Sequence, residues 1–225
     1  LEQVVAQTGK LEPILVDSTL SIRGQNLKGD RLTRVRLGEV ETSPTDVSER
    51  ELILPLTTIS PQDLRAGIQS LQVVHAMPTQ DPQRPQQGVA VSNAVPITVR
   101  PRLETVALED MAENDDDLYD ATVIVAVNVT IGQEQRVVLA LNERAADQTT
   151  NQALEPANKQ PAAYLFDIPR RSQNLDRIMI PIRNVKPGHY LVRVLIDGAE
   201  SQLTVDTDAT SPTFDQYIGP SIAIG

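Results

Sequence analysis

The chain has 225 residues, a net charge of −10 at neutral pH and no cysteine. Disulfides, thiolate zinc sites and cysteine nucleophiles are therefore excluded, and the acidic balance argues against a nucleic-acid surface, which needs a basic stripe along the phosphates. No run of about 18 apolar residues is present to span a bilayer and no charged-then-apolar leader opens the chain, so a soluble protein of two units of roughly 100 residues is expected.

Aromatic residues make up 3% of the chain and Trp is absent, so the cores must be built from Val, Ile and Leu. The β-branched members of that set favour strands. In chain order, the stretch 18–23 alternates Leu20 and Ile22 against Thr19, Ser21 and Arg23, the period-2 pattern of a half-buried strand. Gly24, Asn26 and Gly29 then break it with residues that turn the chain at little steric cost. Further strands are expected at 33–37, 51–56, 68–76 and 94–100, each bounded by turn formers. In the last of these Pro96 has no N–H to donate, which predicts an edge strand. A short helical turn is allowed near 60–65, and 77–90, rich in Pro and Gln, reads as an exposed loop.

Arg100-Pro101-Arg102 reads as the junction between a domain at 1–101 and a second at 102–225. The second half carries 10 Lys/Arg against 19 Asp/Glu, while the first carries 10 against 11. After a strand at 103–108, the run 109–120 holds seven carboxylates and no base and reads as a loop. Val123, Val125, Val127, Val129 and Ile131 alternate next, with Ile124 and Ala126 on the other face, as in a central strand. Strands follow at 136–142, 163–168, 177–183, 189–196 and 202–205, with an extended piece at 217–224. Pro187-Gly188 and Asp197-Gly198 supply turns, and 144–161 has no period and reads as a second long loop. The whole pattern predicts an all-β protein made of two tandem β-sandwiches.

No catalytic, cofactor-binding or metal-binding residue is assigned. The acidic run 109–120 offers clustered oxygens for calcium but lacks the glycine and the terminal glutamate of an EF-hand loop, and a solvated, self-repelling loop is the commoner meaning. His75 and His189 have no second histidine at ligand spacing. No Gly-x-Ser-x-Gly elbow surrounds a serine, and no glycine loop leads into a helix able to cradle phosphate. Glu39 and Glu41 read as acids on one strand face, where pairing with a cross-strand cation is more usual than glycosidase chemistry.

The order Pro13, Leu20-Ser-Ile-Arg-Gly-Gln-Asn-Leu27, Val35-Arg-Leu-Gly38, Leu52-Ile-Leu-Pro55, Gly67, Val73-Val74, Ser92-Asn93 and Ile97-Thr-Val-Arg-Pro101 resembles an IPT/TIG domain, a variant of the immunoglobulin fold. Leu27 and Glu39 stand where that pattern has an aromatic and a second glycine. Across both halves the chain resembles the C-terminal part of the cap, or tail-terminator, proteins of phage-tail-like contractile injection systems. The segments that carry this are 64–75, 135–143, Gly188-His-Tyr-Leu-Val-Arg-Val-Leu-Ile-Asp-Gly198 onward to Val205, and Ser211-Pro-Thr-Phe-Asp-Gln-Tyr-Ile-Gly-Pro220. The resemblance implies two immunoglobulin-like domains displayed on a cap, whose ring contacts with other particle subunits belong to a separate N-terminal domain that precedes such a region. The beginning at Leu1 fits a processed product or a piece of something longer.

The expected function is thus a non-enzymatic structural and interaction module in an assembled cytoplasmic particle, with free, membrane-associated and released states of that particle all left open by the sequence. It would need no cofactor, and protein or surface partners would be met through the loops 77–90, 109–120 and 144–161. The alternative is a carbohydrate- or surface-binding accessory module of a larger secreted protein. Sugars would then stack on exposed members of the set Tyr119, Tyr164, Tyr190, Tyr217, Phe166 and Phe214.

Overall fold

The computed structural model describes residues 1–29, 32–77, 88–144 and 161–225. Its regular structure is almost entirely β, the sole helical element among the described residues being a 3₁₀ turn at Leu56–Thr58. Two compact units divide the chain, Leu1–Arg100 and Pro101–Gly225.

The first unit contains β1 (Gln3–Ala6), β2 (Ile14–Leu15), β3 (Thr19–Arg23), β4 (Thr33–Leu37), β5 (Val40–Thr42), β6 (Asp46–Val47), β7 (Glu51–Pro55), β8 (Gly67–Met77), β9 (Gly88–Val91) and β10 (Val95–Arg100). One sheet runs β1-β3-β7-β6 and the other β2-β10-β8-β4-β5, with β9 also paired to β8. In the lettering of immunoglobulin domains these are A-B-E-D against A′-G-F-C-C′. The alternation read from the sequence places Leu20 and Ile22 of β3, Val35 and Leu37 of β4, Leu52 and Leu54 of β7, Leu71 and Val73 of β8, and Ile97 and Val99 of β10 in a single buried cluster. Asn26 carries the positive φ (55°) in the turn after β3. Near 60–65 one helical turn is closed by the Leu64 N–H on the Ser60 carbonyl at 3.0 Å.

Three expectations in this unit need correction. The strand with Pro96 is not the edge of its sheet, because β2 lies parallel outside it at Val99 and Arg100. Pro96 pairs with Ser70 of β8 before β2 begins, so its missing donor still faces away from the ladder. Glu39 is not on a strand face: Gly38, at φ 58°, and Glu39 form the turn between β4 and β5. The proposed loop 77–90 ends in ladder on both sides, since Met77 pairs with Gly88 and Ala76 with Val89; residues 78–87 lie outside the described residues.

The second unit contains β11 (Leu103–Glu113), β12 (Tyr119–Ile131), β13 (Val137–Glu143), β14 (Ala163–Asp167), β15 (Leu175–Val185), β16 (Gly188–Ile196), β17 (Ala199–Glu200), β18 (Thr204–Val205), β19 (Tyr217–Gly219) and β20 (Ser221–Ile224). One sheet is β11-β12-β15, so β12 is central; the other is β14-β13-β16-β17, with β20 also paired to β16. Val123, Val125, Val127, Val129 and Ile131 of β12, Leu139 and Leu141 of β13, Ile178, Ile180 and Ile182 of β15, and Tyr190, Val192, Val194 and Ile196 of β16 are all buried. Each such side chain is stabilised by about 1.5–3 kcal/mol on leaving water. The Asp197-Gly198 pair closes β16 onto β17 with both residues at positive φ, 45° and 81°, as a two-residue hairpin requires.

The acidic run is only partly a loop. β11 continues through Glu113, β12 resumes at Tyr119, and only Asn114–Leu118 is turn. Its charges sit on an edge strand that β12 holds extended, with a bulge between Glu109 and Ala112 and Asp110 at φ 53°. Charge and bulge together blunt such an edge against pairing with another chain. The extended piece 217–224 is two strands: β19 pairs with β18, and β20 with β16. Residues 145–160 of the second expected loop lie outside the described residues.

Candidate functional site

Several charged residues on or beside the strands are engaged across the ladder. Arg36 Nη2 lies 2.6 Å from Glu41 Oε1 on the opposing strand, Arg136 lies 2.8 Å from Asp167, and Arg193 meets both Glu200 and, at 2.6 Å, Asn142 Oδ1. Glu41 is thereby a paired surface acid. In the acidic turn Asn114 Oδ1 accepts the N–H groups of Asp116 (3.1 Å) and Leu118 (3.2 Å), so the turn is closed by an amide side chain. No group of three or more His, Asp or Glu is placed to hold a metal ion among the described residues. His75 and His189 belong to different units. His75 lines a cleft of about 480 Å³ together with Leu27, Val73 and Asn93, and its ring occupies the space that a side chain on Gly29 would need. His189 is exposed on β16.

The aromatic residues divide sharply. Tyr190 is fully buried, and its hydroxyl donates to the Lys186 carbonyl at 2.8 Å, four residues upstream across the Pro187-Gly188 turn. That contact matches the tyrosine corner of immunoglobulin-type sandwiches. Burial pushes the Tyr190 phenol well above its ordinary value, with Tyr164 and Glu143 adding to the effect. Tyr164 packs edge-on against Tyr190 and stacks with Phe166. Phe214 and Tyr217, by contrast, are 50% and 54% exposed.

Those two residues lie on a feature that periodicity does not reveal. β17 and β20 both pair with β16 on the side away from β13, at opposite ends. The Ser201 N–H donates to Val194 O at 2.9 Å and the Val192 N–H to Pro220 O at 2.8 Å. The two short strands are therefore halves of one last strand, interrupted by an inserted segment, residues 202–219.

The insertion is held by its own polar groups. Thr213 Oγ1 donates to Asp206 Oδ2 at 2.6 Å and the Asp208 N–H to Asp206 Oδ1 at 3.0 Å. Asp208 Oδ1 in turn accepts the N–H and the hydroxyl of Thr210 at 2.9 and 2.7 Å, and backbone bonds join Asp206 to Gln216 and Asp215, each 2.9 Å. Hydroxyl donation from Ser211 and Thr213 lowers the Asp206 pKa, and donation from Thr210 lowers that of Asp208. Val205 and Tyr217 are direct ladder partners, so a half-exposed valine and an exposed tyrosine share one face, with Phe214 nearby in the loop. The signal that marks this segment is not an apolar period but the run Asp206, Asp208, Ser211 and Thr213, residues that close turns with their own side chains.

A second feature is a groove of about 370 Å³ on the outer face of β1, β3 and β7. Its floor is Ser21, only 4% exposed although it points away from the core. Ser21 Oγ donates to Glu51 Oε1 at 2.6 Å, and Arg23 Nε donates to the same oxygen at 3.1 Å. Those bonds, the serine's first, lower the Glu51 pKa. Val5 and Ile53 flank the serine in the ladder, and Lys10 stands at the rim.

Fold and surface thus define a tandem β-sandwich protein with a closed core in each unit. Residues 94–223, more than half of the chain, match the family described as "Domain of unknown function (DUF8756)", and the chain belongs to that family. No curated protein matches it significantly.

Proposed function

We propose that the chain is a non-catalytic structural and interaction module, two immunoglobulin-like domains displayed on the cap of a contractile injection system and working as part of that assembled cytoplasmic particle. The reading is supported by the cap-protein resemblance, which runs through both halves. The observation that carries it is the inserted segment 202–219: a sandwich strand is split to present a self-closed loop outward, the way scaffold domains offer recognition surfaces. The resembling stretch 211–220 falls within that insertion and its exit. Several surface acids are held in ladder pairs, as Glu41 is with Arg36. Other particle subunits are the partners on this reading. Among the described residues no helix is long and apolar enough to cross a membrane.

The test is cryo-electron microscopy of particles that lack residues 1–225 beside intact ones. Loss of density around the cap is expected; unchanged density there rejects the assignment. A carbohydrate-binding role draws support from exposed Phe214 and Tyr217, since sugars stack on such rings. Specific retention on a glycan array, abolished by Phe214→Ala, would favour it.

A further inference from the structure

The insertion and the groove carry individual groups that match one another. Phe214 and Asp215 stand side by side on a loop whose hydrogen bonds fix its shape before any partner arrives, so little ordering cost remains for docking. Asp215 is exposed, at φ 62°, and its carboxylate has no partner among the described residues. From Val194 to Gly225 there is no Lys or Arg to neutralise it. The groove offers the opposite set. Val5 and Ile53 are half-buried apolar walls over the sunken Ser21, and about 370 Å³ is ample for one phenyl ring. At its rim Lys10 and the two Nη atoms of Arg23 have no partner among the described residues; Glu51 is the acid among the lining residues, with Asp46 opposite Ile53 and Glu12 beside Gly9 at its margin. The groove thus sets unpaired positive nitrogens of Lys10 and Arg23 beside the apolar side chains of Val5 and Ile53, whereas the loop sets an aromatic ring beside an unpaired carboxylate.

We propose that the inserted loop of one copy docks into the β1-β3-β7 groove of a second copy, with Phe214 between Val5 and Ile53 and Asp215 against Lys10 and Arg23. Such a contact joins two different surfaces, so it links copies in a chain or ring or, where geometry allows it twice, in a pair. A single aromatic anchor with one ion pair is a small interface, and a dissociation constant on the order of 0.1 mM follows.

Sedimentation equilibrium of the 225-residue chain from about 10 μM to 1 mM brackets that affinity. The expected result is a mass that rises above the monomer with concentration. Phe214→Ser and Lys10→Glu should each weaken association about tenfold or more, and Asp215→Lys should do likewise. Combining Asp215→Lys with Lys10→Glu should recover part of the association that Asp215→Lys alone loses, because one of the two cations facing position 215 becomes an anion while Arg23 stays. Circular dichroism verifies that each variant is folded, and replacing 202–219 by a two-residue linker provides a second route to the same loss. A monomer at every concentration overturns the proposal, as does association indifferent to Phe214→Ser and Lys10→Glu, or a double variant that associates no better than Asp215→Lys alone.

Discussion

Tyr190 shows how much one polar atom matters in an otherwise apolar core. Its ring is fully buried, and its hydroxyl satisfies a backbone carbonyl at 2.8 Å. Tyr190→Phe keeps the ring and deletes that bond, so a loss of about 1 kcal/mol is expected in urea denaturation. The phenol also gives alkaline unfolding a direction. Its folded pKa is raised, so the stabilisation is complete below the ordinary value of about 10 and is lost as the pH climbs above it. Absorbance at 295 nm should register ionisation of this tyrosine only together with unfolding, and Tyr190→Phe should remove that step. Asp206 and Asp208 act in the opposite sense. Their folded pKa values are depressed by hydroxyl donors, so the order they give the inserted loop is held above the ordinary carboxylate range near 4 and fades as the pH falls below it. Amide exchange at Asp208 and Thr210 should accelerate in acid, and Asp206→Asn should produce the same loosening at pH 7.

Among the elements, the last strand of the second unit makes the clearest case. Its halves Ala199–Glu200 and Ser221–Ile224 pair with β16 independently of the insertion between them. Replacing 202–219 by a two-residue linker should therefore shift the unit's Tm by less than about 5 °C, whereas Ile180→Ala in β15 should cost about 2–5 kcal/mol. The contrast is measurable by calorimetry. On the β11 edge, Glu109 and Glu113 flank Met111, which is 47% exposed. Replacing both acids by Val should raise light scattering on storage, since an apolar edge pairs with its own kind. Thr33–Leu37 and the long strands of both cores were legible in the sequence because alternation over five or more residues counts the buried face directly. β2, β5, β6 and β17 were not, being two or three residues long and held by their partners with no period to count. The acidic end of β11 resembles a loop in the sequence because its charges repel. β12 supplies the ladder that decides the matter. The groove and the inserted loop stayed invisible for a related reason: both depend on which side chains the topology brings together, as Val5, Ser21 and Ile53 are brought from three strands.

The whole molecule is built on two hydrophobic cores of Val, Ile and Leu, one in each unit. The first core draws on β3, β4, β7, β8 and β10, and the second on β12, β13, β15 and β16. None of the buried apolar side chains lies in 202–219, so the inserted loop can change without opening the core of its own unit. The most direct measurement is to express residues 1–100 and 101–225 separately and record the thermal unfolding of each by circular dichroism. Two cooperative β-sheet transitions, one from each fragment, are expected. A fragment that is unfolded by itself and gains structure only when mixed with the other would contradict the account.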